Sequence, residues 1–400
     1  MNASMIGEIV MLEKHYRLMI PGPTEIDTQT QLAMAQPTIV HYGDDWGKMN
    51  ARVLQKLQQV FQTTNDMYII PGSASAAMEA SVSSIVEQDT EILVELSGMF
   101  GMRFAEIAKS CGAKVIPLKV EFGKAIDPQI VRDMLKANPK IKAMTLVHNE
   151  SSTGVMNPAA EIAAVCHEFG VMLVCDCVSS MGGVDIRTDE WGLDYCITGA
   201  QKCLQSSPGL GILTLAPNAW KKIDERTIPI HGWYLNLSNI REYCVKWSNW
   251  HGHGPVTAPT ALYAGLEASL DIILTEGLQN RFARHILNKT AVRKSMLASG
   301  LKLLVDDSVA SNTVTTIVIP EGLQEKQVIA AMKKQYNTLI TGTPGSLGTP
   351  VLRIGHMGLT ADKNFIIPTI AGFLSICKQL GAKVDIKNGI DALMDVYETQ

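Results

Sequence analysis

The stretch VMLVCDCV, at residues 171–178, decides the fold that the sequence predicts. It is a short and almost continuous apolar run, which is typical of a strand buried on both faces of a parallel sheet. Asp176 interrupts this run close to its end. An ionised carboxylate is costly to bury unless a partner makes use of its charge. We therefore expect Asp176 to lie near a strand end and to serve a functional site.

A lysine follows Asp176 in the next part of the chain, as Lys202 in TGAQKC (198–203). A buried Asp and a Lys are the pair that pyridoxal phosphate requires. The lysine amine binds the cofactor aldehyde as a Schiff base, and the carboxylate keeps the ring nitrogen protonated so that the ring accepts electrons. The sequence therefore predicts pyridoxal 5'-phosphate as cofactor, with Lys202 as the catalytic residue.

Strand and helix signals alternate on both sides of this stretch. Short apolar runs predict strands at residues 67–70, 91–96, 114–120, 143–148, 172–178 and 211–215. Helical patterns are predicted between several of them, at residues 73–87, 128–137 and 159–169. This alternation predicts an α/β fold with a mostly parallel sheet covered by helices on both faces.

The pattern changes at Pro259, where one long and nearly unbroken helical pattern begins and continues to about residue 297. A smaller α+β domain is expected beyond it, with strands at 301–305, 313–319, 339–341 and 351–354 and helices at 325–336 and 365–380. The predicted organisation is an N-terminal arm (1–20), a large domain (21–258), a connecting helix (259–298) and a small C-terminal domain (299–400).

Composition and charge narrow the class of protein. An apolar content of 46% over 400 residues is enough for two cores, and a formal net charge of −4 argues against a nucleic-acid or anionic-membrane partner. No uncharged apolar run reaches the roughly 18 residues that a membrane span needs. Residues 5–11 are too short and too interrupted, by Glu8, for an export signal.

The eight cysteines lack the paired spacing of a metal site. Cys175 and Cys177 come closest, because alternate residues of a strand point the same way, but no second pair completes a ligand set. Several cysteines lie in apolar runs, where cysteine behaves as a small core residue. We predict no metal and a reducing, cytoplasmic compartment.

A turn of small residues, PGSASAAMEA (71–80), connects a predicted strand to a predicted helix. Backbone N–H groups at a helix N-terminus bind phosphate well, and small side chains let it approach. Taken alone, the turn is better explained by an N-capping serine on an ordinary core helix. Beside the Lys202–Asp176 pair, we interpret Ser73, Ala74 and Ser75 as the phosphate site.

Two further motifs follow predicted strands. Phe100 lies between glycines in SGMFG (97–101), and because these open space rather than fill it, we interpret Phe100 as stacking on a ring rather than as a core residue. The polar cluster HNESSTG (148–154) stands where ligands of parallel sheets bind. One of its hydroxyls is a candidate hydrogen-bond partner of the cofactor, whereas at least one of its serines is expected to serve a turn or cap.

An arginine interrupts the apolar strand pattern of VLRIGHMG (351–358). Arg353 needs a partner there, and its planar fork suits bidentate recognition of a substrate carboxylate. A structural salt bridge is the competing explanation, and the sequence leaves both open.

Together these motifs resemble the class V pyridoxal-phosphate aminotransferases, and within them the alanine/serine–glyoxylate branch. The resemblance extends in order over nearly the whole chain. It rests on PGPT (21–24), the SAS turn (73–75), ESSTG (150–154), DCVSSMGG (176–183), QKC (201–203), PG (208–209) and RIGHMG (353–358).

The resemblance implies a fold-type I homodimer with active sites at the subunit interface. It implies ping-pong transfer of an amino group from a small amino acid, alanine or serine, to a small 2-oxo acid, glyoxylate or pyruvate. It also implies a role for each site residue. Lys202 is the Schiff-base lysine, and the residues around the cofactor ring are Asp176, Phe100, Val178 and Ser151. The residues at the phosphate are Ser73, Ala74, Ser75 and Gln201, with Thr257 from the partner subunit, and those at the substrate are Gly22 and Arg353.

Departures from related branches leave alternatives open. Ala74 stands where the family usually has glycine. The pyridoxamine–pyruvate branch has a Glu where this chain has Ser73, and the ureidoglycine–glyoxylate branch has a Gln and an Asn where this chain has Tyr42 and His253; neither activity is favoured. Cysteine desulfurases have a His directly before the Schiff-base lysine, where this chain has Gln201, so desulfurase chemistry is disfavoured. A non-catalytic cofactor-binding protein is disfavoured because about 20 residues before the first motif leave no room for a fused domain.

Overall fold

The computed structural model describes residues 15–343 and 348–399, so residues 1–14 of the predicted N-terminal arm lie outside the described part. The strands are β1 (Arg17–Leu18), β2 (Met67–Pro71), β3 (Glu91–Leu96), β4 (Lys114–Lys119), β5 (Ile141–Val147), β6 (Asn149–Glu150), β7 (Val155–Met156), β8 (Met172–Asp176), β9 (Tyr195–Gly199), β10 (Leu210–Leu215), β11 (Val314–Val318), β12 (Thr338–Leu339), β13 (Thr341–Thr343) and β14 (Val351–Gly355).

The helices, which surround these strands, are α1 (Thr28–Met34), α2 (Asp44–Phe61), α3 (Ala74–Ile85), α4 (Met99–Ser110), α5 (Pro128–Ala137), α6 (Ala159–Glu168), α7 (Pro217–Asp224), α8 (Leu237–Lys246), α9 (Ser248–His251), α10 (Thr260–Glu276), α11 (Leu278–Ala298), α12 (Glu325–Tyr336), α13 (Lys363–Gln379) and α14 (Ile386–Glu398). None of the described helices is long and apolar enough to cross a membrane.

A seven-stranded sheet with the order β2-β10-β9-β8-β5-β3-β4 forms the centre of the large domain. Strand β10 is antiparallel to both of its neighbours, and the other pairings are parallel, so all strands except β10 run in one direction. The prediction of a mostly parallel sheet is confirmed. The carboxyl ends of six strands therefore lie at one edge.

Both faces of this sheet are buried. Consecutive residues of a strand point to opposite faces, and here they belong to two different hydrophobic clusters. Ile69 of β2 and Leu93 of β3 belong to one hydrophobic cluster, whereas their neighbours Ile70 and Ile92 belong to another. Helices α2, α6 and α10 contribute to the first cluster and α3 and α4 to the second. The prediction of a sheet covered on both faces is also confirmed.

A smaller antiparallel sheet with the order β11-β14-β13 lies in the C-terminal part. Its core includes residues of α11, α12, α13 and α14, and Met19 from the beginning of the described chain packs into it. Strand β1, just before Met19, pairs in parallel with β12. Residues 17–19 thus pair with β12 and pack into the core of the C-terminal part, while the predicted domain boundaries stay a prediction.

Three predicted elements are wrong. The strand predicted at 339–341 is divided between β12 and β13, which belong to different sheets. The helix predicted from Pro259 to about residue 297 is two helices, because Gly277 has φ +81°, a left-handed conformation that glycine adopts without strain and that ends α10. The strand predicted at 301–305 is absent, and Leu303 makes only an isolated bridge to Ile317. Strand β9, which the sequence pattern missed, is fully buried and leads to Lys202.

Candidate active site

The carboxyl edge of the large sheet brings most of the predicted site residues together. Ser73 follows β2, Phe100 follows β3, Ser151 follows β5, Asp176 ends β8 and Lys202 follows β9. Because these strands are parallel, their ends meet at one edge, where open α/β sheets bind ligands. Strands β8 and β9 are direct neighbours, so the aspartate and the lysine lie at adjacent strand ends.

Lys202 is buried, and its Nζ donates a hydrogen bond to the carbonyl oxygen of Pro21. Burial lowers the pKa of this amine to about 8; Arg353 and Arg103 lower it further, and Asp176 opposes them. An amine with this pKa is partly neutral near pH 7.5. The neutral form is the one that attacks an aldehyde or accepts a proton.

Asp176 is 3% exposed, and its Oδ1 accepts a hydrogen bond of 2.7 Å from the backbone N–H of Val178. Burial raises the pKa of the carboxyl to about 6; the bond from Val178 opposes this rise, and the nearby Glu150 carboxylate adds to it. A carboxyl with such a pKa ionises fully once a cation is placed beside it. A protonated ring nitrogen is a cation of that kind.

The first turn of α3 lies beside the loop that carries Lys202. A Cβ at Gly199 would lie 3.1 Å from the Cβ of Ala74 and 2.8 Å from Oε1 of Gln201, so these two residues adjoin across a glycine that leaves room for both. Ser73 is the N-cap residue, but its side chain makes no capping hydrogen bond. The Ser73 side chain therefore leaves the first amides of α3 uncapped, and Ser75 lies in the same turn; the phosphate site stays a prediction.

Phe100 and Val178 both pack, half-buried, against the same hydrophobic cluster of the large domain. The N-terminus of α4, which carries Phe100, is capped by a residue from another loop: Glu150 Oε2 accepts hydrogen bonds from the backbone N–H groups of Phe100 (3.0 Å) and Gly101 (3.4 Å). A Cβ at Gly98 would lie 2.5 Å from the Glu150 side chain. The glycine thus opens space for a buried carboxylate.

The two serines of the polar cluster have different environments. Ser152 Oγ accepts a hydrogen bond of 3.0 Å from the N–H of Met99 and donates one of 2.6 Å to Glu150. Ser151 Oγ is buried and has no hydrogen-bond partner within the described chain. Ser152 is the structural serine, and Ser151 is the one whose hydroxyl is left for a ligand.

Arg353, in β14 of the small sheet, reaches across to the large domain. Its Nη1 donates to the carbonyl oxygen of Ser151 (3.0 Å), and its Nε and Nη2 donate to that of Gly342 (3.1 and 2.7 Å). Among the described residues, no carboxylate lies within 4.0 Å of this guanidinium. The structural salt bridge that the sequence left open is therefore not found in this part of the chain.

Gly22 and Thr257 occupy contrasting places. Gly22 has φ +95°, and a Cβ there would overlap the Cδ of Lys202, so the glycine lies directly on the lysine side chain. Thr257 is exposed in the segment between α9 and α10. The structure therefore brings Gly22 into the site but leaves Thr257 at the surface, the location expected of a residue that serves a partner subunit.

One observation in particular supports the fit of these residues to pyridoxal phosphate. Two buried polar atoms in the segments that follow β5 and β9, Ser151 Oγ and Gln201 Oε1, lack partners in the described chain. Buried polar atoms are normally paired, so unpaired ones at a site mark positions for ligand atoms. A helix N-terminus without a side-chain cap, a lysine that is partly neutral near pH 7.5 and a buried carboxyl are the other features that suit this cofactor.

Sequence reasoning missed two charged residues of the site. Arg103, one helical turn after Phe100, has its Cζ 4.8 Å from the centre of that ring and acts on the pKa values of both Lys202 and Asp176. The sequence analysis predicted no helix at residues 99–110, so the spacing of three residues between Phe100 and Arg103 carried no signal. Glu150 stood within a quoted motif, but nothing local indicates that it caps a helix about fifty residues earlier in the chain.

Known proteins resemble this chain over most of its length. The sequence matches the family model described as aminotransferase class-V over residues 31–357. An uncharacterized aminotransferase of Methanocaldococcus jannaschii is 35% identical over 379 residues, which cover 95% of this chain and 97% of that protein. The (S)-ureidoglycine–glyoxylate transaminase of Bacillus subtilis is 32% identical, over 95% of each chain.

A solved structure extends the similarity to three dimensions. The crystal structure of pyridoxamine–pyruvate aminotransferase from Mesorhizobium loti has a TM-score of 0.90 to this chain at 28% identity. The match covers 97% of this chain and 98% of that one. The similarity therefore includes both the large and the small sheet.

Proposed function

This chain belongs to the class V aminotransferases, and on that premise we propose that it transfers an amino group from a small amino acid, alanine or serine, to glyoxylate or pyruvate. It is a pyridoxal-phosphate-dependent aminotransferase with the fold of that enzyme class. The observation that carries the proposal is the placement of Arg353, a guanidinium without a carboxylate partner in the described chain, beside the segment that follows β5 and near Lys202.

Pyridoxal phosphate, when bound, supplies an aldehyde that combines with amines and a ring that accepts the electrons left by a departing proton. We assign its phosphate to Ser73, Ala74, Ser75 and Gln201, its ring to Phe100 and Val178, and a hydrogen bond to Ser151. Asp176 holds the proton on the ring nitrogen, because its carboxylate is stabilised only when a cation lies beside it.

Lys202 and Arg353 act on the substrate itself. Arg353 binds the substrate carboxylate through its two Nη atoms and so orients the bond between Cα and its hydrogen. Lys202 Nζ, with a pKa of about 8, would take the Cα proton as general base and return it at the aldehyde carbon of the cofactor; the second half of a ping-pong cycle would run this transfer in reverse. Gly22 leaves the space in which the lysine side chain moves.

The acceptors glyoxylate and pyruvate are supported by the relatives, whose names specify glyoxylate in one case and pyruvate in another. A ureidoglycine activity is an alternative, but His253, at one of its expected recognition positions, has both ring nitrogens in use. Nδ1 accepts from the indole N–H of Trp46 (2.9 Å), and Nε2 donates to the carbonyl of Val256 (2.7 Å). A ring bonded in this way offers no nitrogen to a substrate amide, and pyridoxamine remains the other alternative donor.

We further propose a cytoplasmic homodimer in which Thr257 completes the partner's phosphate site. Large apolar side chains of residues 39–42 and 247–250, two segments joined by the contact between the Tyr42 and Trp250 rings, are solvent-exposed, and exposed apolar patches mark interaction surfaces. They are Ile39, Val40, Tyr42, Trp247 and Trp250. Eight cysteines, none in a disulfide, are consistent with a reducing compartment.

The test is a stopped-flow absorbance scan of the cofactor-loaded protein against alanine, serine, glycine and pyridoxamine, with mass spectrometry of the keto product. We expect alanine or serine to bleach the visible band of the bound cofactor, and glyoxylate or pyruvate to restore it. Lys202→Ala is the control and should show no such cycle. Bleaching by pyridoxamine alone would establish the pyridoxamine alternative, and a band that no donor changes would contradict the proposal.

A further inference from the structure

The beginning of helix α11 holds a partly buried ion network that the proposed mechanism does not use. Glu276, the last residue of α10, accepts hydrogen bonds from Nη1 of Arg281 (2.7 Å) and from Nη2 of Arg284 (3.0 Å). The left-handed turn at Gly277 brings the end of one helix against the beginning of the next. One carboxylate therefore holds two guanidinium groups.

Arg281 is fully buried, and its other donors go to the two loops that follow β8 and β9. Nε donates to the carbonyl of Gly182 (2.7 Å), in the loop after Asp176. Nη2 donates to the carbonyl of Cys203 (2.6 Å), the residue next to Lys202, and to Oε1 of Gln205 (3.0 Å). Because a guanidinium is planar and rigid, it fixes the spacing of these two loops.

The beginning of α11 also bonds to the segment that follows β14, the strand in which Arg353 lies. Arg284 Nη1 donates to the carbonyl of Gly358 (3.0 Å), and His285 Nε2 accepts from the Gly358 N–H (3.0 Å). A Cβ at Gly358 would lie 3.2 Å from the carbonyl oxygen of Lys202, so this segment lies against the lysine loop. Three loops, each following one residue of the site, are thus bonded to residues 281–285.

The loop held by Arg281 has an unfavourable conformation of its own. Gln205 has φ +45°, which is rare for a residue other than glycine, asparagine or aspartate. Such a conformation persists only where surrounding contacts determine it. Here those contacts are the bond from Arg281 to the Gln205 side chain and the bond of 2.9 Å from the Gln205 N–H to the carbonyl of Lys202.

We propose that Arg281 is a positioning residue for Lys202, which sets the distance of the lysine from Asp176 by binding the loops of both. The inference rests on the proposed role of Lys202. Glu276 and Arg284 extend this positioning to the loop after Arg353, so that the lysine, the aspartate and the substrate-binding arginine share one support.

Arg293 provides a matched control, because it lies on the same helix and is 5% exposed. It donates to Asp307 (2.6 Å) and to the carbonyl of Val305 (2.9 Å), neither of which belongs to a loop of the site. Replacing Arg293 with Lys removes its guanidinium, and with it hydrogen bonds of the same kind at another place in the fold. A purely structural role of Arg281 would therefore give both variants the same phenotype.

The experiment compares Arg281→Lys with Arg293→Lys after removal and re-addition of pyridoxal phosphate. A lysine keeps the charge but cannot donate to two carbonyls and a carboxylate in the fork geometry. The first readout is the dissociation constant of the cofactor. The second is the rate at which borohydride reduction attaches the cofactor covalently to Lys202, measured by mass spectrometry. The third is the melting temperature of the cofactor-free chain.

We expect Arg281→Lys to weaken cofactor binding and slow labelling of Lys202 by tenfold or more, with Arg293→Lys within twofold of the wild type. Equal melting temperatures of the two variants together with equal cofactor parameters would overturn the inference. Glu276→Gln, which keeps the side-chain shape, is the second variant if Arg281→Lys does not fold, and it should show a smaller shift in the same direction. Failure of the wild type to be labelled at Lys202 would instead refute the proposed function.

Discussion

Arg353 of the small sheet donates a hydrogen bond of 3.0 Å to the backbone carbonyl of Ser151, which follows a strand of the large sheet. The other donors of the guanidinium that are in use also go to a carbonyl, that of Gly342. Burial lowers the pKa of this guanidinium, and the Glu150 and Glu325 carboxylates raise it from beyond 4.0 Å. The neutral carbonyls orient the fork without neutralising it, so a ligand carboxylate is a partner that the positive charge favours. The contact also joins the two sheets at the place where substrate is expected.

Replacing Arg353 with Gln should therefore weaken substrate binding more than it weakens the fold. We expect KM for both the amino donor and the keto acceptor to rise by about 30- to 100-fold, because a charge-assisted bidentate pair contributes about 2–3 kcal/mol. Steady-state kinetics with each substrate varied in turn measures this. An unchanged KM with a reduced kcat would show that the arginine supports structure instead.

Arg132→Gln is the matched control for that variant. Arg132 also forms a bidentate contact, with Glu168, but it does so on the exposed surface, where ion pairs contribute little. Its kinetic constants should equal those of the wild type.

The lowered pKa of Lys202 predicts the pH dependence of cofactor capture. Since only the neutral amine attacks the aldehyde, the rate of capture should rise with pH and level off above about 8 rather than above 10.5. Arg353 contributes to the lowering, so Arg353→Gln should move this midpoint to higher pH. Stopped-flow absorbance of the cofactor-free protein mixed with pyridoxal phosphate measures both; a midpoint near 10 in the wild type would contradict the assignment.

The sequence carries clearer signals for the candidate site residues than for some of the elements around them. Asp176 and Lys202 carried their own signal, because a carboxylate at the end of an apolar strand needs a chemical reason. Strand β9 gave no signal, since five buried residues between two glycine-containing loops have no periodicity to recognise. The break at Gly277 was missed because one glycine in a long helical pattern is usually tolerated.

The contacts that position the site were not predictable for a different reason. Glu150 caps a helix that begins at Met99, and Arg281 bonds to loops at Gly182 and Cys203. These partners are distant in sequence and meet only in the folded chain. A single sequence offers no local pattern for such pairs, whereas motifs at strand ends are local by construction.

Replacing Asp176 with Asn should change the pH dependence of stability of the cofactor-free chain. The folded-state pKa of about 6 lies above the ordinary 3.8, so folding favours the protonated carboxyl. This contribution is complete below pH 3.8 and is lost as the pH rises through about 6. This difference between the two pKa values corresponds to about 3 kcal/mol in the free energy of unfolding. Cofactor-free Asp176→Asn should therefore be more stable than the wild type at pH 7 and equal to it near pH 4.

Denaturant unfolding at both pH values measures this difference, and equal stability at pH 7 would show that the carboxyl is already compensated in the folded chain. With the cofactor bound, the same variant should lose most of its kcat, because an amide does not hold a proton on the ring nitrogen. We expect it to retain bound cofactor, which absorbance after gel filtration would show. Full activity would contradict the role of Asp176.

Replacing Gly22 with Ala should prevent attachment of the cofactor while leaving most of the fold intact. Gly22 has φ +95°, and the new methyl group would occupy the space of the Lys202 side chain. Gly232→Ala is the control, because Gly232 also has a positive φ, +84°, but nothing lies within 4 Å of its Cβ position. Both variants carry backbone strain of about 1–2 kcal/mol, and only the first displaces the lysine.

Borohydride labelling of Lys202 separates the two effects. Gly232→Ala should lose melting temperature and be labelled like the wild type, whereas Gly22→Ala should lose labelling by tenfold or more at a similar melting temperature. If both variants were labelled equally, the lysine would have room to move without this glycine, and the close contact between Gly22 and Lys202 would have no part in cofactor binding.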